Sequence, residues 1–131
     1  MTRFGELIDY AGRRVVVTGC ASGIGAALVG QLADLGADVV GLDVRPPIFG
    51  LNDFHELDLS DPASIDAAVA AVGGRVDCLF NVAGVSSGIR DPLRVVTINF
   101  LGTRRLTEAL IPAMPPGSAI ANVSSLAAAD Y

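Results

Sequence analysis

A glycine cluster set between a β-branched run and an amphipathic run constrains this chain most. Arg14 to Thr18 reads RVVVT, a short apolar stretch that suits a strand buried on both faces. Thr18 to Gly25 (TGCASGIG) follows, and Ala27, Leu28, Leu32 and Leu35 then recur at helical spacing between Ala26 and Leu35. Gly36 is a candidate C-cap, and Asp38 to Leu42 (DVVGL) reads as a second strand. A strand, a helix and a second strand of this length form one β-α-β unit, whose right-handed crossover makes the two strands parallel neighbours.

The alternation continues. Phe54 to Leu59 predicts a third strand, and Asp61-Pro62 predicts a helix start with Ser60 or Asp61 as cap, running to Val72 before Gly73-Gly74. Val76 to Phe80 reads as a fourth strand ending in Asn81-Val82-Ala83-Gly84. Beyond the polar segment SSGIRDP, one long helix is expected from Leu93 to Ile111, closed by Pro112, Pro115 and Pro116. Ser118 to Val123 reads as a fifth strand leading into Ser124-Ser125. The expected fold is α/β, a doubly wound parallel sheet of five strands in the order 3-2-1-4-5. Residues are 51% hydrophobic but only 5% aromatic, so small and β-branched side chains dominate, as close helix-on-sheet packing requires.

Charge and cysteine content narrow the function classes. Fourteen acids against nine basic residues give a formal charge of −5, which disfavours nucleic acid and anionic membrane surfaces as partners. Two cysteines make neither a disulfide scaffold nor a four-cysteine zinc site, and no clustered metal-ligand spacing occurs. There is no apolar run long enough for a membrane span and no secretory leader at the N-terminus, so the expected location is cytoplasmic.

The glycine turn carries chemistry. Gly19 permits a tight turn, Gly23 lets backbone approach a pyrophosphate, and Gly25 allows close helix packing. With Ala21, Ser22 and Ile24 between them, the free amides at a helix start favour phosphates. The spacing is Gly-x-x-x-Gly-x-Gly, and the absence of Gly-Lys-Ser/Thr speaks against a nucleotide-hydrolysing P-loop. Asp43, just past the second strand, is suited to accept from adenosine ribose hydroxyls and to repel a 2′-phosphate, favouring NAD over NADP. Arg45 offers the opposite pairing, with a 2′-phosphate. Asp58, at the end of the third strand, is either an acceptor for an adenine amino group or an acid leading into the next helix.

Taken together these residues resemble the short-chain dehydrogenase/reductase family, over about Arg14 to Ala128, and within it most the bacterial 3α-hydroxysteroid dehydrogenase/carbonyl reductase branch. TGCASGIG is similar to the family's TGxxxGxG turn, Asp58-Leu59 to its adenine-contacting dipeptide, and Asn81-Val82-Ala83-Gly84 to its NNAG motif with Val in second place. Asn99 (TINFLG) matches the structural and catalytic Asn, and Ser125 (NVSS) the catalytic Ser. The resemblance implies a Rossmann-type fold, an oxidoreductase moving a hydride between NAD(H) and a secondary alcohol or ketone, a steroid-like one included, and a homodimer or homotetramer. It implies a cofactor site containing Asn81, Ala83, Gly84 and Leu59 beside the residues above.

The departures are as informative. A Tyr-x-x-x-Lys pair supplies acid/base chemistry in such enzymes, since a close cation favours the phenolate of a group that otherwise titrates near 10. This sequence has no such motif and no lysine; all nine basic residues are Arg. Tyr131 lies six positions beyond Ser125, where the family commonly has about a dozen residues. Residues 1–131 are therefore expected to be a dinucleotide-binding domain incomplete at its C-terminus and inactive alone; the rival is a non-catalytic binding or regulatory module ending near Tyr131. A methyltransferase also uses a glycine turn and an acid after strand two, but NVAG, Asn99 and the serine pair speak against it. No Gly-x-Ser-x-Gly elbow surrounds Ser124-Ser125, which tells against a hydrolase. His55 reads as a surface or edge residue, and Cys20 and Cys78 lack a partner base for thiol chemistry.

Overall fold

Unbroken Val and Leu runs have no polar face to offer water, so they are stable only as strands covered on both sides. In a computed structural model, which describes residues 8–48, 51 and 53–125, five strands form one all-parallel sheet. They are β1 (Arg14–Thr18), β2 (Asp38–Asp43), β3 (Phe54–Glu56), β4 (Cys78–Asn81) and β5 (Ala119–Asn122), in the expected order β3-β2-β1-β4-β5. Val15 sits opposite both Val39 and Cys78, so β1 is central.

The period-two alternation of β1 feeds two cores. Val16 packs with Val40, Leu42, Ile65, Leu79, Leu106 and Leu110 on one face. Val15 and Val17 pack with Cys20, Leu32 and Val39 on the other. Each of these fully buried aliphatic side chains stabilises the fold by about 1.5–3 kcal/mol relative to exposure. No described helix is long and apolar enough to cross a membrane.

Helix α1 (Gly23–Asp34) begins inside the glycine cluster, three residues before the periodic apolar pattern makes it visible. It ends as the sequence predicts: Gly36, at φ +88°, donates to the Ala33 carbonyl (3.0 Å) and Ala37 to that of Leu32 (3.0 Å), a double-bonded left-handed cap. Helix α2 (Pro62–Val72) is capped by Asp61, whose carboxylate accepts from Ala63 N–H at 3.0 Å, with Pro62 in the first turn. Ser60, the other candidate cap, instead donates to Asp58.

Two expectations need correction. The third strand stops at Glu56 rather than Leu59, because the Asp58 carboxylate bonds Ser60 and starts the turn into α2. The long helix is not uniform: α3 (Pro92–Val96) passes through a π-helical turn (Thr97–Gly102) into α4 (Thr103–Leu110). A Cβ on Gly102 would lie 2.1 Å from the Leu59 carbonyl oxygen, so the widened turn presses bare backbone against the loop after β3. Thr103 Oγ1 donates to the Ile98 carbonyl (3.2 Å), five residues back, which helps to satisfy the altered ladder.

Candidate functional site

The carboxyl ends of β1, β2 and β4 open into a cleft of about 400 Å³. One wall is the glycine turn. Gly19, at φ +70°, approaches the segment after β4 so closely that a Cβ would lie 3.0 Å from the Ala83 backbone. Gly25 is tighter still: a Cβ there would meet the Gly19 carbonyl oxygen at 1.9 Å. Ser22, extended at the N-cap of α1, makes no side-chain cap, so the first amides of that helix are not taken by a capping hydroxyl.

The second wall is acidic. Asp43 ends β2, and its carboxylate accepts from Ala21 N–H (2.9 Å) and Val44 N–H (2.7 Å), tying the glycine turn to the strand behind it. Asp58 also lines the cleft. The Ser60 hydroxyl (2.6 Å) and backbone N–H (2.9 Å) hold its carboxyl below the ordinary carboxylate range, and the positive charge of Arg94 adds to this.

The third wall is the segment after β4. Thr18, buried at the end of β1, accepts at one hydroxyl from both Val82 and Ala83 N–H (3.0 Å each), which locks β1 to the turn that leaves β4. Asn99, in the π-helical turn, accepts from Val85 N–H (2.8 Å) and donates to the Val85 carbonyl (2.8 Å). Asn81 points into the protein: its Nδ2 donates to Thr107 (3.0 Å) and Asn122 (2.9 Å), while its buried Oδ1 has no hydrogen-bond partner among the described residues.

Of the residues singled out from sequence, Gly19, Ser22, Ile24, Gly25, Asp43, Asp58, Leu59, Ala83 and Gly84 line the cleft. Ala21, Gly23, Arg45 and Asn81 do not, although Ala21 and Arg45 reach Asp43 through their backbone N–H groups. Ser125 is exposed in the segment after β5, two residues past Val123, whose N–H donates to the Asn81 carbonyl (3.1 Å).

A family model for short chain dehydrogenases matches residues 13–131. The chain belongs to that family. Among curated relatives, a coniferyl-alcohol dehydrogenase from a Pseudomonas strain is 42% identical over 124 residues, 95% of this chain and 48% of the relative. Among solved structures, the 3-alpha-hydroxysteroid dehydrogenase of Pseudomonas sp. B-0831 in complex with NADH is 37% identical, with a TM-score of 0.75 over 88% of this chain and 46% of its own. A blue fluorescent protein from a metagenomic library, in complex with NADPH, is 28% identical with a TM-score of 0.78, over 93% of this chain and 59% of its own. The chain thus spans about half the length of the curated relatives it matches.

Sequence reasoning missed Thr18, Val85, Arg94 and Ile98 as parts of the site or its frame. Thr18 alone carried a signal, being a polar residue directly after the buried run Val15 to Val17. Neither thiol nor imidazole joins the site. Burial, then the Asp43 charge, pushes the Cys20 thiol up to about 11, and His55 pairs with Asp53 (2.8 Å). Among the described residues no group of His, Cys, Asp and Glu is arranged to hold a metal ion.

Proposed function

We propose that this chain is the cofactor-binding part of a dehydrogenase that exchanges a hydride between NAD(H) and an alcohol or ketone. The observation that carries the reading is the meeting, in one cleft, of the glycine turn, Asp43, Asp58 and Ala83-Gly84. The cleft fits such a group: its size is that of a ligand pocket, and Gly19 and Gly25, where neighbouring backbone leaves no room for a side chain, line it with bare backbone.

Bound NAD supplies the hydride acceptor. The amides of Ser22 to Gly25 bind its phosphates at the start of α1. Asp43 keeps lone pairs beyond those used by Ala21 and Val44, and accepts from ribose hydroxyls; its charge opposes a 2′-phosphate, so NAD is preferred to NADP. Arg45 is exposed and does not line the cleft, which favours the Asp43 side of that contest. Asp58 takes the adenine amino group, with Leu59 beside it. Asn99 acts by position, since the Val85 backbone occupies both ends of its amide. Ser125 steadies the substrate oxygen. The names of the coniferyl-alcohol and 3-alpha-hydroxysteroid relatives support a hydrophobic hydroxyl compound as substrate class, steroid-like ones included. Exposed Val96, Phe100 and Leu101 on the α3–α4 run, with Ile111 just past its end, support a homodimer or homotetramer.

The test is turnover by a polypeptide of these 131 residues given NAD and a secondary alcohol. With no lysine to lower a tyrosine pKa, it is expected to bind NADH saturably and to turn nothing over. Steady hydride transfer that disappears in Tyr131→Phe overturns this, and makes Tyr131 the acid/base. Tyr131 itself lies outside the described residues.

A further inference from the structure

We propose that Arg94 is a further cofactor-affinity residue, whose planar guanidinium stacks on the adenine ring at the rim of the cleft. The inference rests on the dinucleotide reading above and deepens it. Arg94 lines the same cleft as Asp58, Val85 and Ile98. Its backbone is fixed, because its N–H donates to the Asp91 carboxylate (3.1 Å) in the first turn of α3. Its side chain is not spent on the fold. Arg14, Arg75, Arg104 and Arg105 each form an ion pair with a carboxylate, whereas among the described residues Arg94 forms none.

The surroundings select a flat, edge-polar group. Leu57, Leu59, Val85 and Ile98 give apolar walls, and Asp58 gives an acceptor at their margin. The backbone amides suited to phosphate belong to the glycine turn, a different wall, so the cation beside Asp58 faces the base and not the pyrophosphate. A guanidinium over a π face is attractive, and Arg serves better than Lys because it is planar and weakly hydrated. The same cation favours ionised Asp58, the form that accepts from an adenine amino group.

Calorimetric titration of the chain with ADP-ribose tests this. Arg94→Ala is expected to weaken binding about two- to five-fold, with an unchanged thermal midpoint because the side chain is exposed. Arg94→Lys is expected to recover only part of the loss. Equal affinity of wild type and Arg94→Ala, with both binding saturably, overturns the role of Arg94 and leaves the dinucleotide reading intact. Full recovery by Arg94→Lys overturns stacking in favour of a point charge. Failure of the wild type to bind ADP-ribose overturns both.

Discussion

Replacing Thr18 by Val removes one oxygen from the middle of the site frame while keeping shape and β-branching, so strand preference and packing volume are nearly unchanged. The Thr18 hydroxyl accepts from two amides, Val82 and Ala83, at 3.0 Å each, and Thr18 itself is 1% exposed. An orphaned buried donor costs about 1–3 kcal/mol. Val82 and Ala83 are half-buried, so some rehydration is open to them, and the pair should lose about 2–3 kcal/mol rather than the upper limit. That is a large part of the about 5–15 kcal/mol that holds an ordinary domain together. Urea unfolding followed by circular dichroism should show a lower midpoint at unchanged slope. NADH binding should weaken as well, since the third wall of the cleft loosens. Thr18→Ser, which keeps the oxygen, should recover most of both losses. An unaltered midpoint and affinity in Thr18→Val would refute the claim that this hydroxyl couples β1 to the segment after β4.

Two further outcomes are expected. Gly25→Ala forces a Cβ to 1.9 Å from a backbone oxygen that cannot swing away, so it should unfold the turn or abolish dinucleotide binding, whereas Gly23→Ala faces open space and should cost about 1 kcal/mol for its φ of +54°; equal damage at the two sites, measured by urea midpoint, contradicts the reading. Asp58 titrates lower when folded, chiefly through the Ser60 hydroxyl and then its N–H, so its contribution to stability is complete above the ordinary carboxylate range and fades as pH falls through the lowered value; Asp58→Asn should therefore flatten the acid limb of a stability-against-pH curve, and an unchanged limb contradicts it.

The features legible in sequence are those with local causes. Val15 to Val17, Val39 and Val40 announce buried parallel strands, Gly36 a left-handed cap, and Asp61-Pro62 a helix start, because each depends on residues within a turn of itself. What was hidden depends on partners far along the chain. Thr18 meets Val82 64 residues away, and Asn99 meets Val85 across a loop. The π-helical turn at Thr97–Gly102 keeps Ile98, Leu106 and Leu110 buried, so hydrophobic spacing alone reads as one continuous helix. The shortened β3 has a similar origin: Asp58 and Leu59 look strand-like in sequence, but Ser60 and Ser64 bond the Asp58 side chain and backbone and turn the chain toward α2.

The central claim is that the cleft takes NAD and that Asp43 sets the preference. Fluorescence titrations of the chain with NADH and with NADPH test it most directly. A carboxylate at the ribose end, already fixed by Ala21 and Val44, should make NADH bind at least about tenfold more tightly, because two like charges within a few ångströms repel by more than 1.4 kcal/mol in a partly buried site. Asp43→Ala should erase most of that difference. NADPH binding as tightly as NADH, or no saturable binding of either, would contradict the account.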